Sequence, residues 1–506
     1  MTANFLHGVE VLELDQGIRP IRTVRSAVIG LIGTAPDATA SDFPLNEPVL
    51  ISGSRAKAKK LGDTGTLPNA VDAVLQQIGA TMVVVRVEEG SDHAATHGNV
   101  VGSSTNKEGV WAFLKAESVL GVSPKILAAP GFTHQATEDG VTSLSVDAGG
   151  SGYTSAPTVT IAGTGTGTPG SGATATATIS GGAVTGLTIT DAGSGYTNGI
   201  AVSISGGGGS SATASGDVGD VANTVVTAMV AASSSTAGVA DRLRAIVVVD
   251  GPDDDAAAAH SYADLHANKR IYMVDPQVKV QRGSSVVNER ASAWAAGVIA
   301  KSDAERGFWF SPSNRIIQGV AGTSRAIGFF LGDENSEANL LNENDVATIV
   351  RENGFRLWGN HTTTTDTKFQ FLSVVRIMDM VNESVMRAHL WAVDRCITRS
   401  YLQDVKESVA SYLRSLEARG AILGSRVYVD PDQNSETDIA NGEVTFDFEI
   451  TPVYPAERVR FRSILTNGFL QNLLTDSNAD DNSALATGDQ NAPDNEESTT
   501  ANTEEE

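Results

Sequence analysis

The stretch Ser26-Ala27-Val28-Ile29-Gly30-Leu31-Ile32-Gly33-Thr34-Ala35 decides the fold of this chain. It is apolar at odd and even positions alike, so both faces of the strand it predicts must be covered. That is how a strand inside a parallel sheet reads, and Pro36 ends it as a strand should end. Upstream, residues 5–25 carry short alternating pieces such as Val9-Glu10-Val11 and Ile21-Arg22-Thr23-Val24. They predict an extended arm with weak strand character.

Downstream the pattern repeats. Residues 48–51 are extended, and residues 67–78 place Val71, Val74, Leu75 and Ile78 at helical spacing before Gly79. Residues 82–87 form a β-branched strand, and residues 111–119 predict a helix. Three more buried strands follow at 125–129, 245–249 and 270–274, with helices expected over 221–230, 256–267 and 284–302. This alternation predicts a mixed α/β chain whose core is a largely parallel sheet with helices on both faces.

One segment breaks the pattern. Residues 141–216 contain no Lys or Arg and only two Asp, and are dominated by Gly, Ser, Thr and Ala. Ser151-Gly152-Tyr153-Thr154 recurs as Ser194-Gly195-Tyr196-Thr197, and Val141-Thr142-Ser143-Leu144 as Val184-Thr185-Gly186-Leu187, both 43 residues on. Each copy carries alternating strands, such as Thr158-Val159-Thr160-Ile161 and Leu187-Thr188-Ile189-Thr190. The segment therefore predicts a small all-β insertion of two repeats, set in a strand-to-helix loop where a core tolerates it. Set in a loop, it is expected to face outward. Tyr153 and Tyr196 are its only aromatics, which favours surface ornament over glycan or host-surface adhesion.

The C-terminal third returns to ordinary composition. A short helix is expected over 344–352, a long helical region over 374–393, and a second over 401–419 with Leu402, Val405, Val409, Leu413 and Leu416 on one face. Val444, Phe446, Phe448 and Ile450 then alternate with Thr445, Asp447 and Glu449, and Val459 and Phe461 with Arg458, Arg460 and Arg462. The two runs would form a hairpin in which acidic and basic rows face each other, or the arginine row would pair with a neighbouring subunit.

Composition bounds the function. At 506 residues three or more units are expected. The net charge of −24 argues against nucleic acid, whose phosphates need clustered Lys and Arg. Residues 476–506 hold ten acids and no base, a run that cannot bury enough surface to order itself, so a disordered acidic tail is expected. The single cysteine, Cys396, excludes an internal disulfide and suits a reducing cytoplasm; it is expected to be buried beside Ile397. Residues 1–14 show no signal-peptide pattern, and no apolar run is long enough to insert in a membrane.

No catalytic, cofactor or metal constellation stands out. The G-x-G-x-x-G match at Gly165, Gly167 and Gly170 lies inside the low-complexity insertion, away from any strand-to-helix turn. Asp250 and Asp275 end core strands where α/β enzymes place acids, but read as capping residues, as do Asp253, Asp254 and Asp255. His93 and His97 fall in a Gly/Ser/Ala loop with no third ligand nearby. No ordered triad signature is present, so no enzyme is expected.

Particular residues go further. His7-Gly8-Val9-Glu10-Val11-Leu12-Glu13 with Gly17 and Arg19, and Asp42-Phe43-Pro44-Leu45-Asn46-Glu47-Pro48, resemble the start of the tail sheath proteins of contractile bacteriophages, a family that includes R-type pyocin sheaths. Gly307-Phe308-Trp309-Phe310-Ser311-Pro312-Ser313-Asn314 and Gly354-Phe355-Arg356-Leu357-Trp358-Gly359-Asn360 are similar to its later motifs, as is His389-Leu390-Trp391-Ala392-Val393-Asp394. The resemblance spans about 5–474, skips 141–216 and the acidic tail, and departs at His361, where many members carry Arg. It implies a structural subunit forming stacked hexameric rings around a tail tube and contracting without nucleotide. The implied partners are other copies of itself, the tube protein, the baseplate and the tail terminator, with no cofactor. It also implies arms that add strands to neighbours' sheets: Val9, Val11, Leu12 and Leu14 at one end, and Arg458, Arg460, Phe461, Arg462 and Phe469 at the other. The expected plan is an N-terminal arm (1–24), an α/β core (25–140 and 217–331), the β insertion (141–216), a C-terminal α+β domain with its arm (332–475), and the acidic tail (476–506). Another virion protein (a fibre or tube subunit) and an α/β enzyme with a β appendage are the competing assignments.

Overall fold

The structure, a computed structural model, describes residues 21–164, 170–197, 199–230, 237–467 and 470. The expected N-terminal arm up to residue 20, Phe469, and the tail 476–506 lie outside the described residues, as do Gly165 and Gly167.

The founding stretch forms β1 (Val28–Thr34), buried at every position. It runs parallel to β3 (Thr81–Val87), whose other side takes the antiparallel edge strand β2 (Pro48–Ser52). Helix α1 (Leu67–Gln77) makes the β2-to-β3 crossover, and helix α2 (His93–Val101) follows β3. On the other flank β1 pairs with β4 (Ile126–Ala128). Gly30 is required there, because a Cβ would stand 2.7 Å from Leu127 Cδ2 and 2.9 Å from Phe113. The expected helix at 111–119 is a 3₁₀ segment, Gly109–Lys115, continued by the helix Ala116–Leu120.

After β4 the chain leaves the core for the insertion, slightly larger than expected. Its strands are β5 (Thr137–Ser151), β6 (Thr158–Gly163), β7 (Thr174–Ser180), β8 (Ala183–Asp191), β9 (Ile200–Ser205) and β10 (Ser210–Val221). They form one sheet in the order β5-β10-β9-β6-β7-β8. Its two end strands meet, with the Val141 N–H donating to Ala192 O at 2.8 Å. The repeats are three strands each and related by a pseudo-two-fold axis. Tyr153 N–H donates to Gly182 O (3.0 Å) as Tyr196 N–H donates to Asp139 O (2.9 Å), and each pair is shifted by the repeat length. Both tyrosines are buried, which explains why they recur.

Helix α3 (Thr224–Val230) returns the chain to the core, where β11 (Ile246–Asp250) and β12 (Ile271–Val274) continue the parallel sheet with helix α4 (Ala256–Asp264) between them. The expected helix at 284–302 begins late. Its first residues instead form β14 (Ser285–Glu289), hairpinned on β13 (Val278–Arg282) through Gly283 at φ +56°, because Val286 and Val287 are β-branched and face Gln281 and Val280. Helix α5 (Ala291–Glu305) follows. Short strands β15 (Arg315–Ile316) and β16 (Val320–Thr323) come next, and β16 flanks β13.

The helix expected at 344–352 is a strand, β17 (Val346–Arg351). Val346, Ile349 and Val350 are β-branched and both faces of the site are covered. With β18 (Phe355–Trp358) it extends the main sheet to nine strands, ordered β15-β18-β17-β12-β11-β4-β1-β3-β2. β17 and β18 therefore belong to the core sheet, although they lie beyond the expected boundary at 331/332. Alternate residues of the central strands feed two layers. Ile29, Leu31, Val84, Val248 and Tyr272 meet α1 and α5, while Val28, Ile32, Val85, Val247 and Met273 meet α3 and α4.

The last domain is built on helices α6 (Leu372–Ala388) and α7 (Arg399–Ala418). They are covered by a two-stranded ribbon of β19 (Ile422–Tyr428) and β20 (Asp447–Pro452). In place of the expected hairpin of 444–450 with 458–462, β20 pairs with β19, Glu449 facing Arg426 at 2.9 Å, because both strands are held on the same helices. Residues 456–467, in a separate compact unit, are without strand pairing, with Phe461 90% exposed. Cys396 is exposed in the loop before α7 rather than buried.

Candidate functional site

The C-terminal domain presents two features that a passive scaffold would not need: an incompletely paired ribbon, and a polar mount that fixes it to the core. The ribbon lies on a small core of Ile377, Met380, Val381, Val409, Leu413 and Leu416. Ile422, Val427, Phe448 and Ile450 face inward, while Leu423 is 64% exposed. Among the described residues each strand pairs only with the other, so the outer edges keep their N–H and C=O groups open. A lone two-stranded ribbon is marginal in water and gains by acquiring further strands.

Residues near both ends of the described main unit pack on the same domain. Ile21 and Val24 pack on the same core, Thr23 Oγ1 lies 3.2 Å from Tyr412 Oη, and the Val24 N–H donates to Ser384 Oγ at 3.1 Å. Val453 packs there too. Residues 21–24 and 453, the described positions nearest in sequence to the two expected arms, thus pack on one domain.

The mount is a ladder of ion pairs on α6. Arg376, Asp379, Glu383 and Arg387 are spaced by three and four residues, which sets them on one stripe of the helix. The stripe crosses the amino ends of the parallel strands. Arg376 pairs with Asp303 at the end of α5; Asp379 pairs with Arg270 (2.6 Å), which Asp241 also meets at 2.5 Å. Glu383 pairs with Lys125, whose ammonium also donates to Leu243 O (2.6 Å), and with Arg387 (2.8 Å); Arg387 reaches Glu117 at 2.8 Å. The three inner pairs are buried. Burial pushes the Lys125 pKa down against the pull of Glu383 and pushes that of Asp303 up, while Asp379 and Asp241 outweigh burial to raise that of Arg270. Such pairs add little net stability over apolar packing but penalise any other seating of the helix, since a shifted register would strand a buried charge.

The motif residues singled out by resemblance are structural. Asn314, at φ +61°, donates its N–H to Leu357 O (2.6 Å) and its oxygens accept from Arg356. Gly354 turns β17 into β18 at φ +109°. Trp358 packs edge-on against Phe329, and Gly359 O accepts from Tyr272 Oη at 2.8 Å. The Asn360 carbonyl accepts from the Leu372 N–H (2.9 Å), starting α6. Trp309 packs against the C-terminal core under the Arg419 guanidinium. Trp391 stands apart, beside His389 and Arg395. Arg458, Arg460, Phe461 and Arg462 lie in the stretch 456–467, outside the strands. The ladder was missed in the sequence, although its signal was there: charges at a fixed spacing inside an otherwise apolar helix.

The candidate acids of the strand ends are consumed internally. Asp250, its pKa raised by burial, accepts from the Ser292 N–H (2.7 Å) and Oγ–H (2.8 Å) at the start of α5. Asp275, likewise raised by burial, pairs with Arg325 and accepts from the Asp253 N–H at 2.7 Å. Asp255 caps α4, its carboxylate accepting from Ala258 N–H at 2.7 Å. Among the described residues no group of His, Cys, Asp and Glu could hold a metal ion, and no helix is long and apolar enough to cross a membrane.

Comparison with known proteins agrees with this architecture. Residues 26–87 match the tail sheath protein Gp18 domain III N-terminal region, 217–363 the phage tail sheath protein central domain, and 364–466 the phage tail sheath C-terminal domain. A prophage major tail sheath protein of Pseudomonas aeruginosa (strain UCBPP-PA14) is 33% identical over 477 residues, covering 93% of this chain and 99% of that protein. The tail sheath protein of Escherichia phage P2 is 27% identical over 488 residues, covering 94% and 100%. Among solved structures, the helical sheath of the anti-feeding prophage in its contracted state superposes with a TM-score of 0.56 at 16% identity, covering 92% of this chain and 100% of that one. With matched domains on both sides of the insertion and a relative aligned nearly end to end, the chain belongs to the phage tail sheath family: it is a structural subunit of a contractile tail sheath.

Proposed function

We propose that this subunit builds the sheath as stacked hexameric rings around a tail tube, linked by strand donation. Residues 5–18 and 457–474 of neighbouring copies would add strands to the open edges of the β19–β20 ribbon. The carrying observation is the ribbon itself: two strands with unpaired edges, on the domain that also packs Ile21, Val24 and Val453. Main-chain pairing of this kind needs little side-chain specificity and stays connected while subunits rotate. The α6 ladder then carries force from the ribbon to the nine-stranded core. Contraction would release interfacial energy stored in the extended sheath, with no nucleotide and no enzymatic step. On this reading the tube protein, baseplate and tail terminator would be its partners, in a virion tail assembled in the host cytoplasm.

The test is deletion of residues 1–18, followed by negative-stain electron microscopy and sedimentation across a concentration series. The full chain is expected to form hollow six-fold tubes, and the truncated chain folded particles that form none. Unchanged tubes from the truncated chain would sink the strand-donation reading.

A further inference from the structure

Where the β insertion joins the core, four histidines converge. His93 and His97 lie one turn apart on α2, a helix rather than the expected loop, capped by Asp92, whose carboxylate accepts from the Ala95 N–H at 2.8 Å. Their rings are 6.2 Å apart, and His93 stands 6.5 Å from His134 and stacks on Phe132 at 6.0 Å. His134 belongs to the segment leading into β5, and its Nδ1 is buried without a hydrogen-bond partner.

The outgoing segment is gripped from the same side. The Asn223 N–H donates to His266 Nε2 (3.0 Å), and the Asn223 amide donates to Gln135 O (2.7 Å), tying outgoing chain to incoming chain. His97 meets the Asn223 side chain and the Phe132 backbone, and its Nδ1 lies 3.4 Å from Thr224 Oγ1. The only covalent attachments of the insertion to the core thus run through one histidine-lined clasp.

We propose that this cluster is an acid-sensitive clasp: neutral His97, His134 and His266 hold the root of the insertion closed, and their protonation loosens it without unfolding the core. Each packed element supplies charge that bears on this. Helix α2 brings His93, His97 and Asp92; the incoming segment brings His134; α4 and the turn after it bring Tyr262 and His266; the residue before α5 brings Arg290. Helix α3 contributes no titratable side chain. Asp250, Asp253 and Asp275 all act on Arg290, and Asp250 is already committed to Ser292. A second or third positive charge here would face Arg290 in a half-dry setting, with the His134 Nδ1 buried and unbonded.

Burial, Arg290 and the other two histidines push the His134 pKa down to about 3, and burial pushes those of His97 and His266 down as well. The sign follows from linkage. A cationic group with a depressed folded pKa leaves the closed form fully stable above the unfolded value of 6.5, and stability is lost as pH falls from there toward about 3. Between pH 7.5 and 5.0, His134 alone favours the open root by about 30-fold.

Hydrogen exchange read by mass spectrometry on the full chain, corrected for the intrinsic pH dependence of exchange, tests this independently of the strand-donation reading. Peptides covering 130–137 and 219–227 are expected to exchange about 30-fold faster or more at pH 5.0 than at pH 7.5, while β1 and β3 stay protected. The double variant His97→Gln/His134→Gln should flatten that response. Should it not fold, His97→Gln alone, at a partly buried position, should shrink the response. A pH-independent root, an equal loosening of β1 and β3, or an undiminished acid response in the variants would overturn the proposal.

Discussion

Replacing Glu383 by Gln probes the mount of the C-terminal domain most directly. The carboxylate serves two cations, Lys125 and Arg387, and both Lys125 and Glu383 have side chains at most 4% exposed. Without it the Lys125 ammonium stays buried with Leu243 O as its remaining neutral acceptor. Leaving one charge of a buried pair uncompensated costs about 3–5 kcal/mol. Urea unfolding of the dilute chain, followed by tryptophan fluorescence and circular dichroism, should show that loss in the transition that exposes Trp309. The double variant Lys125→Met/Glu383→Leu removes both charges and should recover most of it, ending within about 1 kcal/mol of the parent or above it. A cost below about 1 kcal/mol for Glu383→Gln, or a double variant as unstable as the sum of its singles, would refute the view that register is enforced by stranded charge.

Other outcomes follow from the same structure. Leu413→Ala empties a fully buried position under the ribbon and should cost about 2–5 kcal/mol, seen as faster proteolysis within 372–452 while the nine-stranded core persists. Gly209→Val would drive a Cβ to 2.5–2.6 Å from the Tyr153 ring and should destabilise the insertion by about 1–3 kcal/mol, with hydrogen exchange rising in 137–221 and nowhere else. Joining residues 136 and 222 through a short Gly-Ser bridge in place of the insertion should leave a chain that folds and forms tubes, as electron microscopy can establish, because Thr137 and Val221 are already paired neighbours. Arg426→Ala should leave the melting temperature of the dilute chain unchanged, since its ion pair with Glu449 is exposed to solvent.

Much of this was legible in the residues. The buried strands at 28–34, 81–87, 246–250 and 271–274 were evident because a strand covered on both faces must be apolar at every position. The duplication in the insertion was visible for a related reason: two halves that pack on each other must repeat the residues that do the packing, and Tyr153 and Tyr196 are those residues. The misreadings share a cause. Residues 346–351 and 285–289 are short, and a short apolar or β-branched run takes its state from whatever neighbour it meets. The strand 447–452 found Ile422–Tyr428 rather than the arginine run after it, a choice between two chemically acceptable partners made by which one α6 and α7 hold in place.

By itself, then, the sequence determined the α/β class, the place and repeat of the insertion, the lack of a nucleotide-type loop, and, through its motifs, the family. Those properties reside in the order and period of residues along one chain. Only the tertiary structure decided that 346–358 belong to the core sheet, that four histidines gather at the root of the insertion, and that the charges of α6 meet Asp303, Arg270, Lys125 and Glu117. Each of these joins residues far apart in the chain. No local periodicity encodes which distant partner closes such a contact, because the choice is made by the packing of whole elements against one another.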